Sequence, residues 1–206
     1  MGIIQGNSLN EEGLFLLEFK TSVSDPNNNL QSWTYNSSSH ATPCEWKGVR
    51  CTSDFKVTSL YLSGLNLSGT LSPSLCNNLP HLTEFNVSKN FFSGSIPHDF
   101  FQLPYTTSSL TSVPIACHLQ QHLTGSIPAS IGRLKELKII RAGGNSLSGS
   151  IPDEISEWSE LEVLGLAQNK LEGELPAASL HKLKNLTDLI LWQNSLSGSI
   201  PLEIGD

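Results

Sequence analysis

The chain has 206 residues, enough for one domain with a sizeable core, and only 15% of them are charged, for a net charge of −7. That balance argues against a phosphate backbone or an anionic membrane surface as partner, so no nucleic acid is expected. No run approaches the roughly 20 consecutive apolar residues of a membrane-spanning helix, which leaves no membrane insertion by this chain to expect.

Residues 1–7, "MGIIQGN", have no basic region and no useful apolar run, so no signal peptide is read there and a disordered start is expected. The stretch "SLNEEGLFLLEFKTSVSDP" predicts a helix capped by Ser8 or Asn10, with Glu11 and Glu12 in its first turn and Asp25-Pro26 stopping it. Leu14, Leu17 and Phe19 are expected to cover the open apolar end of the first repeat of the periodic region from residue 55, with Trp33 and Trp46 packed beside them. Four tripeptides, at Asn36, Asn66, Asn86 and Asn185, fit the N-glycosylation acceptor pattern.

From residue 55 onward the chain is periodic. Gly69, Gly94, Gly125, Gly149, Gly173 and Gly198 succeed one another at 25, 31, 24, 24 and 25 residues. The frame L-x-x-L-x-x-L-x-L-x-x-N-x-L-x-G-x-I-P returns behind most of them, as in "LKELKIIRAGGNSLSGSIP". Alternating apolar pairs such as Ile140 and Ala142, or Leu164 and Leu166, predict short strands with one buried face, stacked in parallel. The Asn after each strand, at 90, 145, 169 and 194, is expected to turn inward and satisfy neighbouring backbone groups. Gly and Pro then punctuate a return path, and segments such as "ASIGRLKEL" form short helical turns on the convex side. A single repeat cannot bury its own core, so stability comes from stacking.

The 31-residue interval between Gly94 and Gly125 breaks the pattern, with "PYTTSSL", Pro104 to Leu110, as the excess. Laid on the frame backwards from Leu123, His118 falls where a buried Leu belongs and Gln121 where the Asn belongs. An insertion loop built for a ligand would spare the repeat after it, so the expectation is a junction left by lost repeats, the weakest point of the stack. Cys117 there is not a sign of chemistry. Cys76 is expected to be a small buried thiol on the convex side.

The "L-(S/T)-G-x-I-P" continuation, together with "SLNEEGLFLLEFKTSVSDPNNNLQSW" and "CEWKGVRC", resembles the plant-specific leucine-rich repeats and the N-terminal capping domain of plant leucine-rich-repeat receptor-like kinases. The resemblance implies an α/β solenoid, a right-handed superhelix with a parallel concave β-sheet and a helical cap. The cap would span 1–54 and about six repeats 55–206. It implies a Cys44–Cys51 disulfide, placement outside the cell or on the outer face of the plasma membrane, and a secreted peptide or a partner ectodomain as ligand, with a co-receptor heterodimer among the arrangements. Other readings remain open: a free-standing secreted binder of the polygalacturonase-inhibitor type, a short co-receptor-type ectodomain, or a non-functional truncated product. The last is prompted by the missing signal peptide, whereas an end, "SIPLEIGD", that falls partway through a repeat favours the N-terminal ectodomain portion of a receptor-like kinase without its membrane helix and kinase as the expectation.

No nucleophile elbow, phosphate loop or kinase signature occurs, so no enzyme and no cofactor are expected. His118 and His122 would suit a metal only on a helix, and the frame makes them strand and loop. A ligand would meet the outward residues between the buried strand positions. These are Tyr61 and Ser63; Glu84, Asn86 and Ser88; Ile139, Arg141 and Gly143; Val163, Gly165 and Gln168; and Asp188, Ile190, Trp192 and Gln193. Arg141 suits a carboxylate, Trp192 an aromatic anchor and Asp188 a basic group, and the plain alternative for each is a solvated face residue. A glycan on Asn86 would shift binding toward the later repeats.

Overall fold

The computed structural model describes residues 9–35, 42–73, 75–98, 115–119 and 122–200, without the side chains of 76–77 and 115–118. The expectations for residues 1–7, Ser8, Asn36, the excess at 104–110, Gln121 and the side chains of Cys76 and Cys117 lie outside the described residues. Helix α1, Glu11–Ser22, is capped by Asn10, whose Oδ1 accepts the Gly13 N–H at 2.9 Å. Beyond its end the Asp25 carboxylate accepts the N–H groups of Asn29 and Leu30 at 2.9 and 2.7 Å, which holds the turn.

The face that covers the first repeat differs from the one expected from the sequence. Phe15, Leu16 and Phe19 are buried, Leu17 is only partly so, and Leu14 is 57% exposed. At 100° per residue Leu14 lies about 140° round the helix from Phe19, so both cannot face one core. Trp33 is fully buried, stacked on Trp46 with centroids 5.6 Å apart and tilted against Phe19 at 6.3 Å, and its Nε1 donates to the Lys47 carbonyl.

Cys44 and Cys51 are joined, with their Cα atoms 5.5 Å apart. The bridge ties strand β1, Val49–Cys51, to the 3₁₀ turn Pro43–Glu45. Replacing both cysteines by Ser is expected to lower stability by about 2 kcal/mol, the loop-closure value for so short a ring, measurable as a lower midpoint in urea.

Each repeat contributes two strands. The concave set is β2 Val57–Tyr61, β4 Glu84–Asn86, β6 Ile115–His118, β8 Leu137–Arg141, β10 Val163–Gly165 and β12 Asp188–Ile190, all parallel, with β1 antiparallel at the edge beside β2. The second set is β3 Ser68–Thr70, β5 Phe91–Ser95, β7 His122–Gly125, β9 Ser146–Gly149, β11 Lys170–Glu174 and β13 Ser195–Ser197. The sequence predicts this second path as a mere return; it is a six-stranded parallel sheet, because its x-L-x-G-x steps alternate sides as a strand does.

The two sheets differ in register. Leu60, Phe85, Ile140, Leu164 and Leu189 lie abreast in the concave sheet, whereas in the second sheet Gly69 pairs with Phe92, Gly125 with Leu147 and Gly173 with Leu196. Each of these steps slips two residues, about 7 Å at strand rise, and the difference between the sheets turns each repeat relative to the last.

The convex side holds helix α2, Leu75–Asn78, the 3₁₀ turns Ala129–Arg133 and Asp153–Glu157, and helix α3, Ala177–Leu180. Trp158, 1% exposed, crosses between two of them and donates Nε1 to the Ile131 carbonyl at 2.8 Å. Gly132 is required there, since a Cβ would lie 2.6 Å from the Glu154 carbonyl oxygen.

The Asn after each strand turns inward. Asn169 donates Nδ2 to the carbonyls of Leu166 (2.9 Å) and Ala142 (3.0 Å) and accepts the Leu147 N–H (3.0 Å); Asn90, Asn145 and Asn194 repeat the pattern one rung along.

The irregular repeat is corrected by its pairing. Cys117 lies opposite Phe85 and Ile140, the buried position, and His118 lies opposite Asn86 and Arg141, on the outward row. Leu119, fully buried, fills the next apolar place. Four residues separate Leu119 from Leu123, where five separate Ala142 from Leu147 and Leu166 from Leu171. One residue is missing from the bend, so counting back from Leu123 moved His118 into the core by one place.

Candidate functional site

The concave face is built from the residues flanking each buried strand position, and its two halves differ in how far their polar groups are already engaged. In the first half, the Tyr61 hydroxyl donates to the Glu84 carboxylate in a short hydrogen bond, and Arg50 from the cap strand stands 4.8 Å above the Tyr61 ring. The hydrogen bond to Glu84 raises the Tyr61 pKa, helped by desolvation and the carboxylate charge and opposed by Ser59 and Arg50, so the phenol remains a donor at neutral pH. Asn86 Oδ1 accepts from the Ser88 N–H and hydroxyl at 3.1 and 2.7 Å, and Ser88 and Ser63 share a hydrogen bond of 2.9 Å. Ser88 is buried, contrary to its expected place as an outward residue.

In the second half the floor is small and apolar. Val163 and Gly165, expected to face outward, are buried: the Arg141 stem lies over Gly165, its Cγ 3.5 Å from where a Cβ would stand, and Val163 is 7% exposed. Ile139 is half-buried, and Gly143 and Ala167 continue the floor, the latter missed in the sequence although it holds the same place in its repeat as Gly143 and Trp192. Around this floor stand Arg141, Asp188, Ile190 and Trp192. The Arg141 side chain makes no hydrogen bond or ion pair among the described residues. Trp192 is 56% exposed beside half-buried Ile190. Asp188 is exposed and accepts only the Thr187 hydroxyl among the described side chains.

Gln168 and Gln193 are exposed at the bend, at φ of 56° and 55°, the left-handed place that Gly64 and Gly144 hold in their repeats. Their backbone role comes first, and their side chains project from the rim.

Two contributors escape a reading of the sequence alone. Arg50 reaches the face because β1 extends the concave sheet, a pairing visible only once the disulfide-bonded cap is folded. Lys138 and Glu162 form a 2.9 Å ion pair between neighbouring strands at the edge of the face, and this hydrogen bond raises the Lys138 pKa. Neither carries an outlying signal in the sequence: Arg50 lies in the cap, outside the repeat frame, and Lys138 and Glu162 occupy ordinary polar places of it. Among the described residues no group of His, Cys, Asp and Glu could hold a metal ion, and no helix is long and apolar enough to cross a membrane.

A cap closed by a disulfide, a stack of two-stranded repeats and an inward Asn ladder together define a leucine-rich-repeat solenoid. The family description "Leucine rich repeat N-terminal domain" matches residues 9–52, and "Leucine Rich Repeat" matches 56–78, 81–103 and 185–206. A leucine-rich repeat receptor-like serine/threonine-protein kinase of Arabidopsis thaliana is 53% identical over 92 residues, which is 45% of this chain and 8% of that protein. The structure of the Arabidopsis receptor kinase HAESA ectodomain with an IDA peptide hormone ligand superposes with a TM-score of 0.79 at 34% identity, over 96% of this chain and 31% of that one. A chain of the Arabidopsis thaliana BIR3–SERK2 complex gives 0.73 at 31% identity, over 93% of this chain and 97% of that one. The chain belongs to the leucine-rich-repeat family of plant receptor-like kinase ectodomains. It spans about a tenth of the length of the curated relatives it matches, and the matched segments are leucine-rich-repeat ones.

Proposed function

We propose that this chain is a recognition module for a secreted peptide or a partner ectodomain, acting outside the cell or on the outer face of the plasma membrane. Its organisation is a cap over 1–54 and about six repeats over 55–206. It carries no catalytic group and no cofactor of its own in this reading. The observation that carries it is the contrast across the concave face: Tyr61 and Glu84 are engaged with each other, while Arg141, Asp188 and Trp192 stand round an apolar floor with capacity to spare.

An extended ligand crossing Gly143, Gly165 and Ala167 could bring its backbone close, set an apolar side chain against Trp192 and Ile190, place a carboxylate on Arg141 and a basic group on Asp188, and meet Gln168 and Gln193 at the rim. Support comes from the similar structures, one a receptor kinase ectodomain in complex with a peptide hormone ligand, the other a chain of the BIR3–SERK2 complex.

The test is a binding screen of the secreted chain against synthetic plant peptide hormones and co-receptor ectodomains, with variants tested next. For any ligand found, Trp192→Ala and Arg141→Ala are each expected to weaken affinity roughly tenfold or more, the scale of an interface anchor. Tyr61→Phe is expected to change it little. Unchanged affinity in both anchor variants would move the site elsewhere.

A further inference from the structure

The second sheet carries an exposed aromatic residue that neither the fold nor the concave face explains. From β7 onward the first residue of each strand is polar, His122, Ser146, Lys170 and Ser195, but β5 begins with Phe91, 52% exposed. Its ring stacks on one side against His122, with centroids 6.0 Å apart and planes 17° from parallel. On its other strand neighbour lies an acceptor tripeptide, Asn66-Leu67-Ser68: the Phe91 N–H donates to the Leu67 carbonyl at 2.7 Å, and Ser68 pairs with Phe91 across β3 and β5.

The three described acceptor sites are not equivalent. Asn86 lies half-buried on the concave face with its Oδ1 occupied by Ser88, and Asn185 donates Nδ2 to the Ser159 carbonyl at 3.0 Å. Asn66 is exposed, sits at a left-handed bend with φ of 59°, and its side chain makes no hydrogen bond among the described residues.

We propose that Asn66 is an N-glycosylation site whose first sugar seats on Phe91, with His122 backing the ring. In the transfer, Asn66 Nδ2 displaces the pyrophosphoryl lipid carrier of a lipid-linked oligosaccharide from C1 of the first N-acetylglucosamine. An N–C1 bond replaces one N–H bond, the proton passes to the transferase or solvent, and one N–H remains. The C–H-bearing face of the sugar then covers apolar ring surface that is otherwise left in water. The proposal rests on the part of the functional reading that takes the chain into the secretory route, and is independent of the concave face.

The experiment expresses the full chain behind a supplied secretion signal in a eukaryotic host and maps occupancy by mass spectrometry after enzymatic deglycosylation in ¹⁸O water. Asn66 is expected to be occupied. Removing the acceptor by Asn66→Gln, or by Ser68→Ala with Asn66 kept, is expected to lower Tm by about 2–4 °C. The same removals in a Phe91→Ser background are expected to shift it by less than about 1 °C. An unoccupied Asn66, or an equal shift in both backgrounds, overturns the proposal. Because the vector supplies the signal, either failure leaves the binding behaviour of the Trp192 and Arg141 variants to be judged separately.

Discussion

Asn169→Ala is expected to destabilise the protein by about 2–4 kcal/mol, because one buried backbone N–H loses its partner and two buried carbonyls each lose one of two. Asn169 is 9% exposed, and its amide bridges two repeats: Leu166 and Ala142 supply carbonyls, Leu147 an N–H. Alanine leaves the Leu147 N–H unmatched, at about 1–3 kcal/mol, while the Ala142 and Leu166 carbonyls keep Asn145 and Asn194 as donors and lose only a second hydrogen bond each. Asn194→Ala removes a like set, to Leu166, Leu191 and Leu171, at a bend that is half-exposed, so water replaces part of what is lost and the cost falls to about 1–2 kcal/mol. Urea unfolding of both variants checks the pair. Equal losses would mean that burial does not set the strength of the ladder.

Trp33→Ala is expected to cost about 3–5 kcal/mol, the range for emptying a large aromatic site in a core. The indole is fully buried between Phe19 of the cap helix and Trp46 of the disulfide loop, and its Nε1 satisfies the Lys47 carbonyl. Its loss therefore loosens the helix and the loop together. Trp33→Phe keeps most of the packing and leaves the Lys47 carbonyl unpaired, for about 1–2 kcal/mol. Amide exchange should locate the damage: protection in α1 and β1 falls in Trp33→Ala while β10 and β11 keep theirs. Uniform loss of protection would show instead that the cap and the later repeats unfold as one unit.

Much of this structure is legible in the chain. The period near 24 residues, the alternating apolar pairs and the recurring Asn point to stacked parallel strands with an inward polar ladder, since each of these features answers a local requirement that recurs at fixed spacing. The second sheet is not legible as a sheet. Its strands are three to five residues long and rich in Ser and Gly, with at most one buried residue in each, so nothing in their composition separates them from a turn. The cap helix shows the same limit: an apolar run such as "LFLLEF" permits more than one buried face, and the choice of Phe15, Leu16 and Phe19 over Leu14 is made by the repeat beneath it.

For the candidate site, the outward rows are legible in the sequence, but not which of their members are free. Tyr61 and Glu84 read as two binding residues and are partners to each other; Val163 and Gly165 read as outward and are covered by a neighbour and its stem. His118 moves from the core to the face because one residue is absent from a bend, a fault that counting from either side alone cannot place.

The sequence by itself determined the repeat, its strand positions and the Asn that closes each bend, because these depend on residue type at short, fixed separations. Tertiary structure decided the register between repeats, the partners of each exposed group and the face the cap presents, because these depend on contacts between residues some 24 positions apart, where a single deletion or one longer side chain changes who meets whom.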